Sequence, residues 1–568
     1  MVLPEGTRET EVNRPKTVIA VGAGVVLLLG TVALGLATAP DEVAAPGSTT
    51  TTTEDEPLHQ PTTTTSIDFE TFSVSDIATG ERLSWREAPP MGASWPVELL
   101  EYRGTLYLFT SDGTPGPHVI SGGFEVWNSK DGIQWNKVGE VSEGAVSAVT
   151  VADDQLVALG AHSEDGSPHI WTSTDGVDWT GSRLPFQVDS GLPASAWVRD
   201  ARWHDGHLIV VGSIIPDPQR AVIARLPPDI AEHAGRYGMG LSDGPDGPSI
   251  EIYAPLGIVG YSANMKDLGV DDETADALFR NSPSEDSYLW RSDGAGWVAI
   301  DGDNVVFEQL WTGPEGELLA SGWDNSGPAI WFSTDGISWD QTEIRMVDVV
   351  ESWNSWLIGV RNNRDLVRSH DGRSWESLGL EAILPQSLEW YLEQVDAGSH
   401  GIAAIATAWV PHQGAPASEP PWSFEVSGYT ITVDYNTGQL TVEGSGGRSV
   451  VPMWTYDPLA DVTVDFSGET LTFHDPEKDV ELVTVDFDAT IRAETAFYGG
   501  RDFGLRALLL NRPDGDWTIL DLAEEIGSRE HVIMLRLFRD RMILVTLPIP
   551  AWYGGSPPEW SIKVARLP

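Results

Sequence analysis

Six times along this chain an aspartate-glycine pair is followed within a few residues by tryptophan, and three of the copies share a longer frame. Those three read Trp127-Asn-Ser129-Lys-Asp131-Gly132-Ile-Gln-Trp135, Trp171-Thr-Ser173-Thr-Asp175-Gly176-Val-Asp-Trp179 and Trp331-Phe-Ser333-Thr-Asp335-Gly336-Ile-Ser-Trp339. A fourth, Ser369-His-Asp371-Gly372-Arg-Ser-Trp375, has Val367 in place of the leading Trp. In a fifth, Trp290-Arg-Ser292-Asp293-Gly294-Ala-Gly-Trp297, one residue is lost between Ser and Asp. The sixth, Asp514-Gly515-Asp-Trp517, has a shortened tail. Self-similarity of this kind constrains architecture more than any single motif, because each copy must be one structural unit packing against the next.

Each copy has a local logic. An apolar, β-prone run such as Ala329-Ile330-Trp331 leads in, as suits a half-buried strand. Asp-Gly then turns the chain: the carboxylate accepts backbone N–H bonds, and glycine tolerates positive φ. The closing Trp begins the next strand and offers a large apolar face. A lone hairpin cannot bury both of its faces, so neighbouring copies must stack. Radial stacking of small sheets is the propeller solution.

The copies resemble the Asp-box, or BNR, repeats of sialidase-like and sortilin-like propellers, whose usual frame is Ser-x-Asp-x-Gly-x-x-Trp. Here the residue between Asp and Gly is missing, a departure that weakens assignment to any enzymatic branch. The resemblance implies an all-β fold, a seven- or eight-bladed β-propeller with an inserted β subdomain, and it makes the Asp, Gly and Trp positions structural turns away from a central pocket.

The N-terminus supplies an address. Residues 18–39 form an uncharged run whose 22 residues would span ~33 Å as a helix. Arg8, Arg14 and Lys16 precede it, and the next Lys or Arg is Arg82. The positive-inside rule then places residues 1–17 in the cytoplasm and the rest outside, on a single-pass transmembrane helix at the cell membrane. A cleaved signal peptide ending at Ala37-Thr-Ala39 is the rival, and would make the protein secreted. Residues 40–72, rich in Thr, Pro and acidic side chains, read as a disordered linker.

Beyond the linker, residues 82–419 read as the first part of the propeller, 420–492 as the inserted β subdomain and 493–568 as the last part. Within the first part, Trp197–Trp203, His207–Val211 and Ala221–Leu226 read as three strands without a box. An irregular segment at about 230–285 follows, with a helical candidate near Asp271–Phe279. Eight blades result if that segment forms its own sheet, and seven if it is an insertion. At the C-terminus three strands, His531–Phe538, Arg541–Leu547 and Trp560–Leu567, lack a fourth. Strand 83–88 supplies it and closes the ring, removing two exposed edges.

Chemistry is harder to find. The chain has no cysteine, which excludes disulfides, thiolate chemistry and Cys-ligated zinc. With 34 basic against 85 acidic residues and a formal net charge of −51, it lacks the basic clusters that nucleic-acid binding requires. No nucleophile elbow, zinc helix, phosphate loop or dinucleotide fingerprint is present. A sialidase's Arg triad and Tyr–Glu pair cannot be placed. Arg225-Leu-Pro227 and Arg566-Leu-Pro568 match each other better than they match a catalytic motif, so both read as repeat echoes at the ends of third strands. Acidic residues recurring on the inserted strands, Asp434, Asp465, Asp486 and Asp488, leave open a solvated face or a cation site. No cofactor is predicted, and calcium is the one ion the acidic loops leave open.

The resulting expectation is a non-catalytic, membrane-anchored, extracytoplasmic propeller that binds a glycan or an envelope protein, or serves as a scaffold. A glycoside hydrolase with an atypical sialidase-like site is the alternative.

Overall fold

The computed structural model describes residues from Val74 to Leu567, outside 112–121, 187–193, 279–285, 410–420, 453–461, 487–504, 549–559 and shorter stretches between elements. The apolar run 18–39 and the linker 40–72 therefore lie outside the described residues, as do Asp293, Gly294, Asp488, Asp514 and Gly515. Among the described residues no helix is long and apolar enough to cross a membrane. The chain divides into two compact units: one contains Ala221–Asn281 and Pro421–Thr490, the other the described residues of the remainder.

The larger unit is a β-propeller of four-stranded antiparallel sheets, seven of them among the described residues. Sheet 1 runs Trp95–Tyr102, Thr105–Ser111, Phe124–Ser129 and Asn136–Val141. Sheet 2 runs Gly144–Ala152, Gln155–His162, Pro168–Ser173 and Thr180–Arg183. Sheet 3 joins Ala194–His204 and His207–Pro216 to Asp286–Ser292 and Trp297–Asp301. Sheets 4 and 5 are uninterrupted, from Val306–Thr312 to Asp340–Arg345 and from Val347–Trp353 to Glu376–Ser377. Sheet 6 joins Glu389–Gly398 and Gly401–Trp409 to Leu505–Asn511 and Trp517–Asp521.

Sheet 7 comprises Glu530–Phe538, Arg541–Pro548 and Ser561–Arg566, with Trp85–Glu87 as its outermost strand. Trp85 stands opposite Ala565 and Glu87 opposite Lys563. The joint is reinforced locally: the Trp85 indole N–H donates to Glu525 at 2.6 Å, and Leu83 N donates to the same carboxylate oxygen at 3.1 Å.

The core is cyclic. Apolar clusters lie between successive sheets, for example Phe109 and Phe124 of sheet 1 with Leu156 and Trp171 of sheet 2. The series continues between sheets 2 and 3, 3 and 4, 4 and 5, 5 and 6, and 6 and 7. It returns from sheet 7 to sheet 1 through Ile543, Val545 and Trp560 against Leu99 and Leu108. Both faces of every sheet are thereby buried, which explains why the second and third strands carry apolar residues nearly without interruption.

One reading of the sequence is corrected here. Ala221–Leu226 is not a strand: Pro218–Ile223 is an α-helix, opened by a proline whose fixed φ suits the first helical turn and whose missing N–H costs nothing there. Arg225-Leu-Pro227 therefore does not end a third strand, and that place in sheet 3 is taken by Asp286–Ser292, the strand of the fifth repeat copy. Segment 230–285, for which the sequence left open a sheet of the ring or an insertion, adds no strand to the seven sheets above. It belongs to the smaller unit, where Met239–Gly244, Gly247–Ala254 and Ile258–Asn264 form a three-stranded sheet. The helical candidate survives as helical residues 274, 275 and 278, with Asp271 capping Thr274 N at 2.7 Å.

The smaller unit also holds a four-stranded sheet, Trp422–Val426 to Gly447–Pro452, and a three-stranded one, Val462–Asp465, Thr470–Asp475 and Val480–Asp486. Period-2 alternation buries Ile431, Val433, Leu440, Val442, Leu471, Phe473 and Val485. Asp465 accepts Ser467 N at 3.0 Å and Gly468 N at 3.1 Å, so its carboxylate serves a local turn.

Candidate functional site

The repeat turns are built alike. In the first, Ser129 Oγ accepts Gly132 N at 2.8 Å, and Asp131 Oδ1 accepts Ile133 N and Gln134 N, each at 2.9 Å. Trp135 Nε1 donates to Gly132 O at 2.8 Å. Asp175 and Asp335 repeat the pattern, and Asp371 accepts Arg373 N and Ser374 N at 2.8 Å. Trp179 and Trp375 bond back to Gly176 and Gly372 as Trp135 does to Gly132, whereas the Trp339 indole N–H has no partner among the described residues. N–H donation holds Asp131, Asp175 and Asp335 below the usual carboxylate range; at Asp371 burial opposes the shift and the N–H bonds outweigh it.

These turns lock neighbouring sheets together. A Cβ placed on Gly132 would lie 3.1 Å from Ile543 and Val564 of sheet 7. On Gly176 it would meet Tyr107 of sheet 1 at 2.5 Å, on Gly336 Ile209 of sheet 3 at 2.7 Å, and on Gly372 Leu319 of sheet 4 at 2.6 Å. Each glycine faces the preceding sheet, and the tryptophans follow: Trp179 packs edge-on against Phe109 and Phe124. Trp297 joins the cluster between sheets 2 and 3, and Trp517 that between sheets 5 and 6. In each turn one carboxylate oxygen, Oδ1, takes both backbone donors, which gives the aspartate a structural role. Among the described residues no group of three His, Asp or Glu side chains is placed to hold a metal ion.

The site with chemical content is elsewhere. The first strand of each of the seven sheets of the larger unit carries a β-bulge against its second strand, at Val97, Ser147, Arg199, Glu308, Val350, Glu393 and Ile533 in turn. A bulge re-aims the side chains that follow it. Repeated around the ring, it brings Glu98, Asp200, Gln309 and Gln394 to one position in sheets 1, 3, 4 and 6. All four line a cavity of about 500 Å³ enclosed by the first strands.

The ions in this cavity are committed to one another and to the wall. Glu98 Oε1 accepts Leu99 N at 3.0 Å and pairs with Arg536 at 2.7 Å. Asp200 accepts Ala201 N at 2.7 Å through one oxygen and Leu310 N of sheet 4 at 2.8 Å through the other. Arg202 lies 3.6 Å from Asp200 and donates to Thr150 Oγ1 of sheet 2 at 2.8 Å. Arg199 lies 3.5 Å from Glu308, with its guanidinium 3.9 Å above the Trp197 ring. Asp396 accepts Leu537 N of sheet 7. Several of these bonds cross from one sheet to the next, so they stitch the channel wall. Burial pushes the Asp200 carboxyl up; Arg202 and the two N–H bonds oppose that, and the Glu98 charge adds to it.

Behind the wall, bulge residue Glu393 is pushed up by burial, against the pull of Thr407 and Arg506. Burial lowers Arg506 in turn. His531 is lowered to about 4 by burial and by the Arg506 charge, so its imidazole is neutral at ordinary pH.

Two cavity residues stand apart. Gln309 is exposed and Gln394 half-buried, and neither side-chain amide has a hydrogen-bond partner among the described residues. Sequence reasoning missed the whole cavity set, because the bulge residues share no identity. A usable signal exists, however. Val97, Ser147, Arg199 and Ile533 each stand six positions before a turn residue of positive φ, at Arg103, Asp153, Asp205 and Arg539.

No family model matches the chain, and no curated protein matches it. Solved structures with some likeness include the Pyrococcus horikoshii acylaminoacyl peptidase, at 9% identity and TM-score 0.30, over 63% of this chain and 52% of that one. The chain thus spans about half the length of that peptidase. The β-propeller domain of the Trilobed protease from Pyrococcus furiosus matches at 6% identity and TM-score 0.29, over 64% of this chain and 96% of that one. The Bombyx mori GH32 beta-fructofuranosidase BmSUC1 matches at 12% identity and TM-score 0.26, over 88% and 97%. Overlap this loose says nothing about activity, and the propeller assignment rests on the sheet order and the cyclic core.

Proposed function

We propose that this chain is a non-catalytic binding module: a seven-bladed propeller with Asp-box turns, held outside the cell membrane by residues 18–39 and the 40–72 linker, that captures a glycan or an envelope protein at its central cavity. The observation that carries the reading is the cavity's polar content. Its carboxylates and guanidiniums are internally paired, which suits recognition better than proton transfer, because a general acid or base needs a proton site free to exchange. The uncharged run and the basic residues before it support the anchor. A glycan array and a pull-down from solubilised envelope, both with the full chain, test the binding. Retention of no sugar and no partner overturns it. Blotting an N-terminally tagged protein tests the anchor, which fails if the tag is released from the membrane-bound product.

One observation favours a second reading, glycoside hydrolysis. Asp200 and Glu98 share the cavity in unlike environments, one carboxyl pushed up by burial and the other paired with Arg536. Turnover of a fluorogenic glycoside panel, abolished by Glu98→Gln or Asp200→Asn, would establish it.

A further inference from the structure

Resting on the binding reading above, the geometry points to a ligand class: we infer that the cavity receives the end of an uncharged sugar chain, with Gln309 and Gln394 hydrogen-bonding its hydroxyls and Trp203 stacking on a ring. The charge pattern comes first. Every guanidinium lining the cavity already faces a carboxylate: Arg536 at Glu98, Arg202 at Asp200, and Arg199 at Glu308. An ionic ligand entering here would be desolvated without a free counter-charge, and burying an unpaired ion is costly. Anions are further repelled at long range by a chain of net charge −51.

What remains uncommitted is neutral. The amides of Gln309 and Gln394 each carry two donors and one acceptor oxygen, and both stand at the ring position directly after the bulge. A hydroxyl donates and accepts at once, so a pair of amides facing one space matches a polyol better than it matches an apolar or a charged group. A cavity of about 500 Å³ is of the size that takes small molecules and chain ends, not folded partners.

The end of strand Ala194–His204 supplies the flat surface. Trp203 is 40% exposed. It occupies the fourth position after the bulge, where Glu101, Val151, Ala397 and Leu537 of other sheets line the cavity. Val151, its counterpart in the neighbouring sheet, is 41% exposed. An indole has only two side-chain torsions to order, so at a strand end it presents an apolar face at low entropic cost, and the C–H face of a pyranose or furanose fits it.

The test titrates the full chain in detergent micelles with neutral gluco-, manno-, galacto- and arabino-oligosaccharides of two to six units, and with uronic- or sialic-acid-terminated ones, by calorimetry. The inference expects a neutral series to bind. Gln309→Ala, Gln394→Ala and Trp203→Ala should each weaken it roughly tenfold or more, while Val450→Ala in the smaller unit leaves it unchanged. Unfolding midpoints within a degree of the parent exclude misfolding as the cause, and Gln309→Asn should recover part of the loss. Stronger binding of acid-terminated sugars, or neutral binding insensitive to these three residues, overturns the inference and leaves the binding reading standing. So does a protein partner whose capture requires Gln309 and Gln394 while no sugar binds. Absence of any sugar and of any partner removes both.

Discussion

Replacing Gly176 by alanine tests whether the repeat turns hold the ring together. The backbone there has φ +77, which costs an alanine about 1 kcal/mol. The added methyl would also lie 2.5 Å from Tyr107 Cε1 and 3.4 Å from Leu156. Tyr107 cannot simply swing aside: the residue is 7% exposed, and its hydroxyl donates to Asp175 O at 3.1 Å. The overpacking therefore falls on the joint between sheets 1 and 2, at about 1–3 kcal/mol. Gly206 is the control, because its φ of +80 carries the same backbone cost with nothing within 4 Å of the methyl. The difference between Gly176→Ala and Gly206→Ala isolates the packing contribution. Urea unfolding of the full chain followed by tryptophan fluorescence should show Gly206→Ala down by about 1 kcal/mol and Gly176→Ala by about 2–4 kcal/mol. Tyr107→Leu in the Gly176→Ala background should recover part of the excess. Equal losses at the two glycines would refute the argument that the turn is an inter-sheet lock.

Glu525→Ala removes the acceptor of both Trp85 Nε1 and Leu83 N. It should cost about 1–3 kcal/mol and speed amide exchange in Ser561–Arg566, the strand that Trp85–Glu87 covers. Acid should act in two windows. His531, lowered to about 4 in the folded protein, is protonated more readily once unfolded, so its contribution is full above about 6.5 and lost as pH falls toward 4. His531→Gln should flatten the denaturation midpoint across that window. The turn aspartates are held low when folded, so their contribution is present above about 3.9 and lost as pH falls through the folded values. Asp175→Asn with Asp335→Asn should lower the midpoint at pH 6 and reduce its further fall below pH 4.

The repeat turns were legible because their chemistry is local: Ser, Asp and Gly close the turn within a few residues, whatever the rest of the chain does. Sheet 3 was not, because its second and third strands are separated by the segment that enters the smaller unit. Ala221–Leu226 has strand-like residues, but no partner strand awaits it, and Pro218 starts a helix instead. Strand content in the inserted segments was readable from alternation alone; Ile431, Val433, Leu440 and Val442 are all buried. The cavity was illegible for a different reason. Its residues are united by a backbone device, the bulge, which tolerates Val, Ser, Arg, Glu or Ile at the extra position. A search for shared residue types passes over such a feature, whereas a count back from the hairpin turn finds it.

The two repeating devices divide the work of the ring. At the turns the side chains are nearly invariant, and each bonds its own backbone while its glycine admits the preceding sheet; such a position has no freedom to vary without opening a seam. At the bulges the backbone is invariant and the side chains are free, since the strand's ladder bonds, not the side chain, define the geometry. Selection for a ligand can therefore act on Glu98, Asp200, Gln309 and Gln394 without disturbing the fold, provided buried ions are introduced in compensated sets. Glu98 with Arg536, and Asp200 with Arg202 and two backbone N–H groups, have that form. Gln309 and Gln394 need no such compensation, which is why the amides, and not the more numerous carboxylates, are the positions at which this cavity is open to a ligand.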